Sequence, residues 1–168
     1  MEHKPEPKWS GKACAELKGS KADQVWLLFE DFFSIDKWLP GIDTCLQVHG
    51  VSGEPGCIRY CASSSTSASS DGSTEKMTCW ATERLLAIDR NDLCLSYEVV
   101  DSNMGFKAYV ATIKVLQDDK SDQDQCNIEW SFEADPVEGW RLAGLVSYVE
   151  SSLQAMTTRM EKALLTSK

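Results

Sequence analysis

The last segment of the chain constrains its fold most. Leu142, Leu145, Val146, Val149, Leu153, Met156, Met160 and Leu164 recur every three or four residues, the spacing of one face of an α-helix. Asp135-Pro136 offers an N-cap and a proline at the first helical position, and Glu138 suits the positive start of a helix. The pattern predicts a helix over residues 137–165, a rod of roughly 40 Å. A helix that long with one apolar stripe must lie across an apolar surface, so the rest of the chain must supply one.

What precedes it is written mostly in strands. Trp9 to Leu17 reads as a first strand, ending at Gly19. Ser20-Lys-Ala-Asp23 reads as a capping box, followed by Val25, Leu28, Phe29 and Phe32 at helical spacing, which predicts a helix over 21–33. A second short helix is expected from Phe33 to Leu39, stopped by Pro40-Gly41. Period-two alternation broken by Gly, Pro, Asn and Asp then predicts strands near 42–49, 56–62, 75–87, 93–100, 105–116 and 125–134. The low-complexity run Ser63-Ser-Ser-Thr-Ser-Ala-Ser-Ser-Asp-Gly-Ser73 is expected to be a flexible loop between the third and fourth strands. This order is α+β: one long helix against a curved antiparallel sheet. The 168 residues suit one domain over 9–168, preceded by a flexible tail over 1–8.

A formal net charge of −9 argues against nucleic acid and anionic membrane surfaces as partners, because both need clustered positive charge. The N-terminus carries no apolar leader and no run approaches the ~20 residues of a spanning helix, so a cytoplasmic protein without membrane insertion is expected. The seven cysteines are then expected to be reduced thiols, buried as small apolar residues. Cys57 and Cys61 sit four apart on a strand, ~13 Å, too far to share a metal ion; neither His3 nor His49 lies in a ligand-like setting. No metal site, phosphate loop or cofactor motif is expected.

Alternation makes a few polar residues conspicuous, because residues two apart in a strand share a face. Glu83 shares a face with Met77, Cys79, Ala81 and Leu85; Arg59 lies between Cys57 and Cys61. Tyr97 sits between Leu95 and Val99, and Tyr109 shares a face with Ala111 and Ile113. Four polar side chains from four strands are therefore expected to converge inside the sheet. A buried charge needs a partner. Periodicity alone leaves two readings open: a neutralised core pair, or a site.

The same residues lie within ordered motifs: Trp9-Ser-Gly-Lys12, Gly56-Cys-Ile-Arg-Tyr60, Trp80-Ala-Thr-Glu83, Leu85-Leu-Ala-Ile-Asp89, Tyr109-Val-Ala-Thr112, Glu129-Trp-Ser-Phe132 and Val137-Glu-Gly139. Taken together, the chain resembles the plant lachrymatory factor synthase family, a START-like, birch-pollen-allergen-like branch of the polyketide cyclase/dehydrase and lipid-transport superfamily. The resemblance runs from about Trp9 into the C-terminal helix.

It implies a helix-grip fold, a seven-stranded sheet wrapped around the long helix over a hydrophobic cavity. Trp130, Phe106, Trp38, Leu39, Val149 and Leu153 are expected to line that cavity. It implies Glu83 and Arg59 as a catalytic pair assisted by Tyr97 and Tyr109. The implied chemistry is cofactor-independent isomerisation of a small alkenyl sulfenic acid to a thial S-oxide by a monomer. The alternative is a non-enzymatic carrier or sensor of a hydrophobic small molecule. Abscisic acid receptors share the superfamily, but their Ser-Gly-Leu-Pro-Ala gate and His-Arg-Leu latch are missing from this sequence.

Overall fold

A computed structural model describes residues 7–68, 70–120 and 123–166. The elements run β1 (Trp9–Lys18), α1 (Ala22–Glu30), a 3₁₀ helix (Phe32–Lys37), β2 (Thr44–His49), β3 (Ile58–Ala68), β4 (Thr74–Asp89), β5 (Cys94–Ser102), β6 (Val110–Gln117), β7 (Gln125–Ala134) and α2 (Leu142–Thr166). The strands form one seven-stranded antiparallel sheet in the order β1-β7-β6-β5-β4-β3-β2. The helix-grip architecture expected from the resemblance is the one present.

Strict alternation builds the inner face. Ala13, Ala15 and Leu17 of β1, Ala111, Ile113 and Val115 of β6, and Cys126, Ile128, Trp130, Phe132 and Ala134 of β7 are all buried. Their intervening neighbours face outward, as a sheet with one covered side requires. Leu145, Val149, Leu153, Met156 and Met160 of α2 complete the core from the other side. Fully burying one such side chain stabilises by about 1.5–3 kcal/mol, so the stripe alone holds the helix on the sheet. α2 passes close over β1 because position 11 is glycine. A Cβ there would lie 2.7 Å from both the Phe132 ring and Val146.

Several expectations shift. α2 begins at Leu142 rather than after Asp135-Pro136. The intervening residues make a turn closed by Trp140 N–H donating to the Val137 carbonyl, with Gly139 at φ 86°. The first helix is capped one residue later than Ser20-Asp23 implied. The Gln24 side-chain oxygen accepts from the Lys21 N–H at 2.9 Å, and Ser20 is buried. β6 starts at Val110, because Gly105 at φ 82° and Ala108 at φ 52° break the extended run expected over 105–109.

The largest correction concerns the Ser-rich run. Residues 63–68 are not a loop: they pair with 74–79 in continuous antiparallel register, from Ser63↔Cys79 to Ala68↔Thr74. Only the tip turns, with Gly72 at φ 86°. The arm extends the β3–β4 hairpin beyond the covered part of the sheet. With no core to face, it carries no hydrophobic alternation, and backbone pairing suffices to hold it. Of the tail expected over 1–8, residues 1–6 lie outside the described residues.

Candidate functional site

Register, more than sequence proximity, assembles the site. Arg59 of β3 lies directly opposite Glu83 of β4, which lies opposite Val99 of β5; Tyr97 lies opposite Leu85 and Ala111. A bulge between Thr82 and Glu83 in the β4–β5 pairing sits at the carboxylate itself. Bulges of this kind re-aim side chains, and this one falls where the aim of Glu83 matters. Tyr109, just before β6, is held opposite Val99 by the Val99 N–H donating to its carbonyl at 3.0 Å.

Arg59 is almost wholly buried, at 4% exposure. Its Nε–H donates to Glu83 Oε1 at 2.8 Å and its Nη1–H to the Phe32 carbonyl at 2.9 Å. The guanidinium lies 3.8 Å from the centre of the Phe32 ring and 5.0 Å from that of Tyr97, so both ring faces support its charge. Burial opposes that charge, but the Glu83 carboxylate beside it holds the proton, and the Arg59 pKa is pushed further up. The cation is fixed.

Burial, with the Glu83 charge second, drives the Tyr97 hydroxyl well above the usual phenol range, and Tyr109 moves up for the same reasons. Both are neutral donors at physiological pH. The buried Trp130 indole N–H lies close enough to the Tyr109 hydroxyl to favour its ionised form slightly, yet makes no hydrogen bond of normal geometry.

These groups border a cavity of about 300 Å³ between the sheet and α2. Arg59, Glu83, Tyr97, Tyr109, Trp130, Phe106, Leu39 and Val149 line it. Trp38 and Leu153 do not: Leu153 is packed in the core and Trp38 lies against its edge. Ile35, Leu39 and Ile42 close one side, and Trp80, Met104, Trp140 and Tyr148 contribute walls that periodicity did not single out. Trp140 and Tyr148 belong to the turn before α2 and to its first turns, and their rings meet edge to face at 6.0 Å between centres. A larger hollow, about 640 Å³, lies on the outer side of β1, β7 and β6 around Ser10, Lys12, Thr112 and Ser131, away from these groups.

The wall is mostly apolar, with Ser63 and Tyr148 adding hydroxyls beside the four polar residues. The hydrogen bonds of Arg59 run through Nε and Nη1, and those of Glu83 through Oε1. One ion pair and two phenols thus meet a mostly apolar cavity, a composition that small-molecule sites share.

A family model described as polyketide cyclase / dehydrase and lipid transport matches residues 19–164. The chain belongs to this family. Among solved structures, the major latex-like protein 151 of ginseng, Panax ginseng, superposes with a TM-score of 0.67 at 23% identity, over 92% of this chain and 97% of that one. The protein XoxI of Bacillus cereus gives 0.67 at 22%, over 93% and 95% of the two chains. An uncharacterized protein from Bacillus thuringiensis gives 0.67 at 22%, over 93% and 98%. At these identities the likeness concerns the fold. The family, with its cyclases, dehydrases and lipid-transport proteins, is one that handles hydrophobic molecules. No helix among the described residues is long and apolar enough to cross a membrane.

Proposed function

We propose that the protein catalyses a cofactor-independent proton transfer within a small, largely apolar substrate, of the kind that converts an alkenyl sulfenic acid into a thial S-oxide. One observation carries this reading. A carboxylate held at one oxygen by a fixed cation lines a largely apolar cavity, beside two neutral phenols.

In such a step Glu83 Oε2 accepts the proton of the S–O–H group. The electron pair shifts through sulfur and the double bond, and the carboxyl returns a proton to the alkene carbon two bonds from sulfur. Nothing is gained or lost overall, so the reaction is an isomerisation. As the O–H proton leaves, negative charge grows on the S–O oxygen, and in this reading Arg59 and the two tyrosine hydroxyls, which line the same cavity, donate to it. Oriented general acid–base catalysis of this kind contributes typically 10²–10⁴-fold. The apolar walls keep water, the competing proton carrier, away from the sulfenic acid.

Family membership supports a hydrophobic ligand, and the resemblance of the motifs around Arg59 and Glu83 to lachrymatory factor synthases supports the sulfenic acid. The test is to generate an alkenyl sulfenic acid in the presence of the protein and follow thial S-oxide by mass spectrometry. Many product molecules per protein support the reading. Retention of one unchanged ligand per protein molecule would assign the site to a carrier instead.

A further inference from the structure

The cavity wall holds a feature the proton transfer does not use. Cys45 of edge strand β2 and Cys61 of β3 are directly opposed across the antiparallel ladder, and their sulfurs lie 3.8 Å apart. Opposed residues in such a ladder have Cα atoms about 4.5 or 5.5 Å apart, and disulfides span Cα separations of about 4.4–6.8 Å. A bond therefore needs side-chain rotation and no movement of the backbone. Both thiols are free.

The two thiols are chemically unequal. Cys45 is half-buried, at the sheet edge; Cys61 is buried and lines the cavity, its sulfur 3.9 Å from Glu83 Oε1. The Cys61 S–H donates to Cys45, and with Arg59 nearby this draws the Cys45 thiol down from its ordinary range, against burial and Asp36. The same hydrogen bond and burial push the Cys61 thiol up. Cys45 is thus the nucleophile and Cys61 the resolving thiol, the usual division of labour in a redox pair.

We propose that Cys45 and Cys61 form a redox-active pair, converted by a hydroperoxide into a cross-strand disulfide in the wall of the cavity. Cys45 Sγ attacks the peroxide, its O–O bond breaks, and water or an alcohol leaves as Cys45 becomes a sulfenic acid. Cys61 Sγ then attacks that sulfur, the S–O bond breaks, and the oxygen departs as water with the Cys61 proton. Two thiols lose two electrons and the peroxide gains them. The new bond draws Cys61 Sγ to about 2.05 Å from Cys45, ending its shared orientation toward Glu83 and stapling the edge strand beside the site. The inference rests on the thiol geometry and stands whether or not the cavity turns over a sulfenic acid.

The test exposes the folded, fully reduced chain to a small molar excess of hydrogen peroxide, followed by alkylation and non-reducing peptide mapping. The expected product is a peptide linking Cys45 to Cys61, reversed by dithiothreitol, with buried Cys57 and Cys126 still alkylated after unfolding. The linked form should melt about 5–10 °C higher than the reduced form. In Cys61→Ser the intermediate should persist, so a dimedone adduct should accumulate at Cys45. In Cys45→Ser, Cys61 should remain a thiol. Oxidation confined to exposed Cys14 and Cys79, or dimedone labelling at Cys61 instead of Cys45, would overturn the proposal.

Discussion

Replacing Arg59 by methionine separates what the ion pair does for folding from what it does for chemistry. Methionine keeps the length of the stem that lies against the Phe32 and Tyr97 rings but removes the cation. Glu83 then sits against an apolar wall with no positive partner, its side chain only 15% exposed. Breaking a buried pair from one side costs about 3–5 kcal/mol, and the residual access of Glu83 to the cavity favours the lower end, about 3 kcal/mol. For a chain of this size that is a fall in Tm of about 6–12 °C. Removing both charges, as in Arg59→Met with Glu83→Leu, leaves no uncompensated ion and should restore stability to within about 1 kcal/mol of wild type. Urea unfolding of the two variants and wild type, at one pH and ionic strength, measures both quantities. A single variant that loses less than about 1 kcal/mol, or a double variant no more stable than the single, would refute the claim that the pair is buried and mutually dependent.

Tyr97 and Tyr109 give a pH signature. Their pKa values are raised in the folded state, so both forms of the protein hold these protons below about pH 10, and only the unfolded chain releases them above it. Urea midpoints should therefore be level below about pH 9.5 and fall as pH rises beyond 10, less steeply in Tyr97→Phe; a midpoint rising with alkali would contradict the burial. Val149 borders the cavity from α2, so Val149→Phe should fill it and weaken binding of an apolar fluorescent probe at least ~10-fold, for about 1–3 kcal/mol of overpacking. Unchanged probe affinity would place the binding elsewhere. Backbone amides of residues 64–68 and 74–78 should exchange with deuterium more slowly than the tip around Gly72, because the arm is a paired hairpin; uniform fast exchange along it would restore the loop.

Periodicity made the sheet legible wherever one face packs on the core, because there every second residue must be apolar. Arg59, Glu83, Tyr97 and Tyr109 were conspicuous for the same reason: each breaks a pattern that its neighbours keep. Where no face is covered the pattern vanishes, and the Ser-rich run read as a loop although its residues 63–68 are paired with 74–79. Helix starts were misplaced when a local cap signal competed with a turn: Asp135-Pro136 looks like a helix start, yet Gly139 bends the chain first and α2 waits for Leu142. Cavity walls proved least legible. Trp140 and Tyr148 reach the cavity through the crossing of α2 over the sheet, and Cys45 meets Cys61 through strand register, neither of which a linear pattern encodes.

The central claim is that Glu83 moves a proton. Glu83→Gln keeps the shape and an oxygen able to accept from Arg59 Nε–H, but cannot shuttle a proton between oxygen and carbon. The decisive measurement is thial S-oxide formation from an alkenyl sulfenic acid by this variant and by wild type, with ligand affinity and urea stability measured on the same preparations. The expected result is a rate loss of ~10²-fold or more per folded molecule with ligand affinity little changed, alongside a stability loss of up to about 3 kcal/mol from the unpaired Arg59, so turnover is normalised to the folded fraction. Full turnover by Glu83→Gln, or an activity loss that merely tracks unfolding, would contradict it.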